Sequence, residues 1–332
     1  MKKKILIIGG SGFIGLNLIK LLLKKNNFKI HATFNKNPIS IKANNFKKIK
    51  IDLRDEKPIE KLFKKEKYNY VIMSAGEIFN MKSNKKNLKE KMLSNIFIHT
   101  NCLKNVVKYK VEKYIWISSS TGYPKVKKRK IFKEEDFFKE VPSSNHQIAG
   151  WHSRYFESVC ENLSKISKTK FITLRPSEVF GEYDNFKSNF SRIIPLSLNN
   201  IINKKKVILD KTFHIKKNYI YVGTLAYFIF KFIEIKNLKN NYNVFNLSDD
   251  KSYSLIDIDK ILKKSFNIGF NIKNKINLKS KDIFFKSYSN KKILAFFKIK
   301  KVDSFKIGIN KTFLWRYNNI SNRKSLGYIK NN

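Results

Sequence analysis

The chain has 332 residues, 42% hydrophobic and 14% aromatic, enough to bury a large core and to exclude a globally disordered protein. Lys and Arg number 70 against 25 Asp and Glu, and the resulting charge of +45 invites non-specific binding to nucleic acid and other polyanions. A dedicated nucleic-acid reader is not implied: only seven of the 70 are Arg, the lysines form no single stripe, and Lys, Asn, Ile and Phe share A/T-rich codons (although Glu, also A/T-coded, is scarce).

Short apolar runs alternate with helix-period segments through the first 120 residues, the pattern of a parallel sheet flanked by helices. Strands are predicted at Ile5–Ile8, Phe28–Phe34, Lys48–Leu53, Tyr70–Ser74 and Tyr114–Ser118. Helices are predicted at Gly15–Lys25 and Leu88–Tyr109. A basic loop, Lys125–Lys130, and an acidic turn, Glu134-Glu135-Asp136, lead to a further helix at Trp151–Lys165 and a strand at Lys170–Leu174. Beyond these, strands are expected at Lys206–Leu209, Tyr219–Val222 and Asn243–Leu247, and helices at Leu225–Ile235 and Leu255–Phe266. The fold class is therefore α/β, a doubly wound parallel sheet over 1–172, with a smaller α+β annex over 173–332 whose strands in part return to the sheet. Cys102 and Cys160 sit in apolar helical stretches without metal or redox spacing, and no metal site is read. The start MKKKILIIGG mimics a secretory leader, but glycines interrupt its apolar run and no cleavage signal is present. No apolar run reaches the length of a membrane span, so a cytoplasmic location is expected.

Gly9, Gly12 and Gly15 lie between a predicted strand and a predicted helix, at the spacing of a dinucleotide-binding turn. Such glycines allow close approach of backbone to a pyrophosphate seated on the helix N-terminus. The second strand ends His31-Ala32-Thr33-Phe34-Asn35-Lys36, without the acid that holds the ribose 2′-hydroxyl of NAD. Lys36 can instead pair with a 2′-phosphate, which favours NADP and leaves NAD as the alternative; Lys36 is also one of many solvated lysines.

The glycine spacing and the motifs C-terminal to it resemble the extended short-chain dehydrogenase/reductase family, Rossmann-fold sugar-nucleotide epimerases, dehydratases and reductases that use NAD(P). Asp52-Leu53-Arg54-Asp55 is similar to the family's adenine-contacting D-L-x-D, and Val71–Gly76 to the stretch that walls the nicotinamide ribose, with Met73 and Ser74 in place of His and Leu. Ser118–Pro124 resembles S-S-S-x-V-Y-P, and Leu174–Gly181 resembles L-R-P-x-N-V-Y-G. Asn95–Asn101, Asp184-Asn185-Phe186 with Arg192-Ile193-Ile194-Pro195, and Lys217–Val222 are similar to the GDP-fucose-synthase-like branch. The resemblance implies a cofactor held by Gly9, Gly12, Phe13, Ile14, Gly15, Lys36, Asp52, Leu53, Ala75 and Ser118. It further implies a nucleotide-diphosphate sugar held by Glu178, Asn185, Arg192 and Lys217.

One motif departs from the family. The branch's Y-G-W-x-K-R-x-x-E stands here as Ala149-Gly150-Trp151-His152-Ser153-Arg154-Tyr155-Phe156-Glu157. Gly150, Trp151, Arg154 and Glu157 set the register, so Ala149 occupies the position of the proton-exchanging Tyr and Ser153 that of the Lys. Ser120 and Arg192 correspond to the branch's Cys and His, and Glu178 replaces an Asn. Ser120 keeps a hydroxyl for the substrate, and His146 or His152 is a substitute acid or base. Two functions are implied: NAD(P)-dependent 4-keto chemistry on a nucleotide-diphosphate sugar, or a catalytically degenerate binding protein acting as sensor or as silent partner of an active paralogue. The resemblance also implies a homodimer, or a heterodimer with a paralogue, formed through Leu88–Tyr109 and Trp151–Lys165.

Overall fold

The computed structural model describes residues 2–77, 85–126, 130–143, 147–186, 192–209, 211–275 and 286–320. Strands and helices alternate at the start: β1 (Lys3–Ile8), α1 (Phe13–Lys25), β2 (Phe28–Phe34), β3 (Phe46–Lys50), α2 (Glu56–Glu66), β4 (Tyr70–Met73), α3 (Lys85–Lys108) and β5 (Lys113–Ile117). Next come β6 (Lys130–Phe132), α4 (Gln147–Ile166), β7 (Lys170–Pro176), β8 (Glu178–Phe180), α5 (Ile193–Ile202), β9 (Lys206–Leu209), β10 (Lys217–Tyr221), α6 (Val222–Glu234) and β11 (Tyr242–Leu247). The last are β12 (Ser252–Tyr253), α7 (Leu255–Phe266), β13 (Asn271–Lys275), β14 (Lys286–Tyr288), α8 (Lys291–Phe297) and α9 (Phe305–Asn318).

Seven strands form one sheet in the order β11-β7-β5-β4-β1-β2-β3, and every pair is parallel. Ile5, Leu6, Ile7 and Ile8 are all fully buried, as expected of a central strand covered on both faces. From β3, at one edge, the chain crosses back to β4 on the other side of β1, and this reversal of strand order places a ligand crevice beyond the carboxyl ends of β1 and β4. The doubly wound Rossmann sheet expected from the sequence is thus present. Two predicted elements shift. β3 runs Phe46–Lys50 instead of Lys48–Leu53, because β2 ends at Phe34 and the ladder closes at Phe34–Lys50; Ile51 and Leu53 are buried after the strand, not within it. α4 begins four residues before the expected Trp151, which brings Ala149 into the helix.

The chain divides into two compact units. The first comprises Met1–Lys125, Phe132–Pro176 and Leu225–Leu247 and contains the seven-stranded sheet. Its core on one side of the sheet joins Leu6, Ile8, Val71, Tyr114 and Trp116 to Ile98, Cys102 and Val106 of α3 and to Phe156 and Cys160 of α4. The second comprises Val126–Ile131, Ser177–Thr224 and Ser248–Asn332. Within it β8 pairs with β10 in parallel and β12 with β10 antiparallel, and the fully buried Phe305 stacks on Tyr253 at 3.8 Å and meets Phe180 and Tyr219. Asp249 holds the start of α9 there, accepting from the backbone N–H groups of Ser304 at 2.8 Å and Phe305 at 3.0 Å.

Candidate functional site

β1 ends in a turn that only glycine fits. Gly9 has φ +84°, and a Cβ there would stand 2.7 Å from the Ala75 backbone. A Cβ on Gly15 would run into the Gly9 carbonyl, whereas one on Gly12 would find only that carbonyl, at 3.2 Å. The end of β2 secures the turn: Gly9 N–H donates to Thr33 Oγ1 at 3.0 Å and Gly10 N–H to the Thr33 carbonyl at 2.8 Å. Gly12 is the N-cap of α1; no side chain caps the helix and no acid stands in its first turn. The first-turn N–H groups of a helix have no acceptor within its own backbone, and this uncapped end, carrying Phe13, Ile14 and Gly15, therefore fits a pyrophosphate.

Around the turn lie the other expected cofactor residues. Ala75 comes just after β4 and adjoins Gly9, and Ser74 is tied to β1 by its backbone N–H and its hydroxyl, both donating to the Ile8 carbonyl. Lys36 is exposed two residues past β2, with no ion pair or hydrogen bond among the described residues. Asp52 is engaged by its neighbour: the Arg54 backbone N–H and Nε donate to Oδ1, and Arg54 Nη2 donates to Oδ2 at 2.5 Å. Those bonds hold the Asp52 carboxyl down at about 2. Leu53 is buried, and its carbonyl accepts from Asn101 Nδ2 of α3.

At the end of β5 the Ser118 hydroxyl points inward and donates to Glu157 Oε1 at 2.6 Å. Glu157 is the centre of a buried network. Arg175 of β7 donates to it through Nε at 2.9 and 3.1 Å and through Nη2 at 2.6 Å, with side-chain exposures of 0% for Glu157 and 2% for Arg175. Arg175 Nη1 also donates to the Tyr123 hydroxyl, which donates to Asn246 Oδ1 of β11. Burial pushes the Tyr123 phenol well above its ordinary range, so it cannot replace a proton-exchanging Tyr near neutral pH. Ala149 and Ser153 lie one turn apart on α4, and Gly150 between them packs its backbone against Pro142 and the Thr121 carbonyl. Ser120 is half-buried and opens a short 3-10 turn; neither its hydroxyl nor that of Ser153 has a hydrogen bond among the described residues. His152 is on α4, largely buried between the helices, and His146 lies outside the described residues.

In the second unit the expected substrate residues form pairs. Lys217 of β10 donates to Glu178 of β8 at 2.8 Å, both partly exposed. Arg192, the N-cap of α5, donates to Asp184 Oδ1 at 2.7 Å, and the Asn185 backbone N–H reaches the same oxygen at 2.7 Å. The Asp184 side chain is only 4% exposed, and burial raises its carboxyl against the opposing pull of Arg192.

A profile of the NAD-dependent epimerase/dehydratase family matches residues 5–248. The chain belongs to that family. A dTDP-D-glucose 4,6-dehydratase of Dictyostelium discoideum is 28% identical over 276 residues, covering 78% of this chain and 61% of that protein, so the chain spans less than two thirds of this relative. A UDP-glucose 4-epimerase from Thermotoga maritima, solved with UDP-glucose, superposes with a TM-score of 0.78 at 18% identity, covering 95% of this chain and 99% of the other. A GDP-L-fucose synthetase from Naegleria fowleri bound to NADP gives a TM-score of 0.74 at 18% identity, with 96% and 93% covered. Among the described residues no helix is long and apolar enough to cross a membrane, and no cluster of three or more His, Cys, Asp or Glu could hold a metal ion.

Within the family frame, sequence reasoning overlooked Thr33, whose hydroxyl anchors the glycine turn, and the partner of Ser118. Thr33 carried a usable signal, being the β-branched polar residue just before the end of a predicted strand. Glu157 was legible only as a register mark, since nothing in a helix pattern indicates which distant hydroxyl and guanidinium its carboxylate will meet.

Proposed function

We propose that the chain binds NADP and acts on a nucleotide-diphosphate sugar by 4-keto chemistry, holding the cofactor mainly with 1–172 and the sugar nucleotide mainly with 173–332. The observation that carries this reading is the uncapped glycine turn at the topological reversal of a sheet belonging to this family. Lys36, exposed and unpaired beyond β2, is placed to meet a ribose 2′-phosphate. When bound, the cofactor supplies the hydride acceptor or donor. Asp52 and Leu53 would line the adenosine end, and Ala75 the nicotinamide ribose. Ser120 offers its free hydroxyl to the sugar oxygen, while Arg192 and Lys217 supply positive charge for the diphosphate and Glu178 and Asn185 supply polar contacts.

Ala149 has no proton to exchange and Ser153 no charge to hold, so proton transfer must run through the Ser120 hydroxyl or solvent, and turnover is slow. The same two side chains favour a second reading, binding without turnover. Leu93, Ile96 and Phe97 of α3 and Trp151 and Tyr155 of α4 are exposed on one pair of helices, which supports a dimer through that face. Cys102 and Cys160 are free and buried, which suits the cytoplasm.

The test is titration with NADPH and NADH by nicotinamide fluorescence, in salt high enough to screen non-specific anion binding, and then turnover on a panel of keto-sugar nucleotides. Saturable binding with NADPH preferred is expected. Binding without turnover on any sugar nucleotide selects the second reading, and no binding of either cofactor refutes both.

A further inference from the structure

Two histidines that the proposed chemistry does not use meet between α3 and α4. The rings of His99 and His152 are 4.8 Å apart, centre to centre, and nearly perpendicular at 89°. Phe156 closes on both, at 4.9 Å from His99 and 4.8 Å from His152, and Trp116 stands edge-on to His99 at 5.2 Å. His99 hydrogen-bonds the backbone of Ala75 and His152 that of Asn95, while His99 Nδ1 and His152 Nε2 are buried without a partner. Each ring therefore spends its one N–H on a carbonyl and keeps a bare lone pair inside. No carboxylate, lysine or arginine bears on either ring; the ionisable group acting on His99 is His152 itself. A proton added here makes a cation in an aromatic box with no counter-charge, which is costly.

The pair touches the cofactor crevice through one contact. His99 holds Ala75, and Ala75 is the residue against which Gly9 packs so closely that no Cβ fits. On the other side, His152 sits on α4 between Ala149 and Ser153.

We propose that His99 and His152 form a neutral two-imidazole latch between α3 and α4 that holds Ala75 against the glycine turn and releases it on acidification. Burial lowers the proton affinity of both rings, that of His99 strongly. A group whose folded-state value lies below its unfolded value near 6.5 binds more protons when released. Stability and the closed crevice are therefore retained above about pH 6.5 and lost progressively below it.

The latch is tested on the full chain without cofactor, by NMR titration of the histidine ring protons assigned with His99→Gln and His152→Asn. These amides can keep the donation to Ala75 and Asn95 but do not titrate. Both histidines are expected to titrate well below 6.5, and a midpoint at or above 6.5 for either overturns the proposal. The urea midpoint of the wild type is expected to fall from pH 7 to pH 5 more than that of the double variant, and equal falls overturn it. If the variants do not fold, comparing the five histidine resonances of the wild type still decides. A cofactor arm rests on the proposed NADP site: NADPH affinity should drop about fivefold or more from pH 7.5 to 5.5 in the wild type and less than half as much in the double variant. If NADPH binds at no pH, the functional reading fails while the titration and urea arms still judge the latch.

Discussion

Replacing Glu157 with Gln is expected to destabilise the first unit by about 3–5 kcal/mol, because it strands a guanidinium that is almost wholly out of water. Arg175 makes three contacts to the Glu157 carboxylate at 2.6, 2.9 and 3.1 Å, and the partners left to it afterwards are the Tyr123 hydroxyl, the Glu134 carbonyl and the Phe137 ring 3.7 Å below. Those neutral neighbours solvate part of the charge and do not cancel it. Ser118 also loses its charged acceptor for a neutral one. Arg175→Met should cost a similar amount by stranding the carboxylate, and Glu157→Gln with Arg175→Met should cost clearly less than the sum of the two. The exposed pair Lys3–Glu112 is the control, with Glu112→Gln costing about 0–1 kcal/mol. Urea unfolding monitored by circular dichroism measures all four, with the m-values compared. A cost below about 1 kcal/mol for Glu157→Gln, or strict additivity in the double variant, would refute the view that this pair fastens α4 to β5 and β7.

Ala149→Tyr with Ser153→Lys is expected to raise turnover on the productive keto-sugar nucleotide by two to four orders of magnitude, roughly the worth of positioned acid–base catalysis; no gain would show that the network around Glu157 does not keep the site in catalytic register. Gly9→Ala should abolish NADPH binding in the fluorescence titration, through a positive φ and a Cβ driven into the Ala75 backbone, whereas Gly12→Ala should fold normally. Lys113 of β5 is buried with its ammonium donating to the carbonyls of Phe232, Ile233 and Ile235 at the end of α6, and burial lowers its value to about 8. Lys113→Met strips those acceptors of a donor and should cost about 1–3 kcal/mol in urea, with unchanged stability refuting the cap. Glu66 is nearly buried; burial pushes its carboxyl up, but hydrogen bonds from Lys47 and Lys4 and the charge of His31 prevail and hold it at about 2. Its folded value lies below the unfolded one, so its contribution, on the order of 3 kcal/mol, is present above about pH 4.5 and lost as the pH falls toward 2. Glu66→Gln should flatten that part of the acid-unfolding curve, and an unchanged curve counts against it.

Much of the fold was legible because its causes are local. Ile5–Ile8 is an unbroken apolar run between lysines and glycines, and such a run in a βα repeat has only the centre of a parallel sheet to occupy. The glycine turn is equally local, since φ at Gly9 and the closeness of Gly15 to the Gly9 carbonyl are demands of neighbouring residues on one another. Helices with few apolar anchors were harder. Glu56–Glu66 buries only Ile59 and Phe63 among many lysines, and Phe305–Asn318 presents no clear apolar stripe, so neither was foreseen although both form.

By itself the sequence determined the strand–helix alternation, the turn that receives a pyrophosphate, and the absence of Tyr and Lys at 149 and 153 in an otherwise kept motif. Only the tertiary structure decided what the polar side chains do. Ser118 turns inward to Glu157 and not outward, Arg192 is engaged by Asp184, and His99 finds His152 on a helix 53 positions away in the chain. The reason is physical: backbone conformation is set by neighbours in sequence, whereas a buried charge or lone pair must be matched by a group whose position depends on how the whole sheet closes over it.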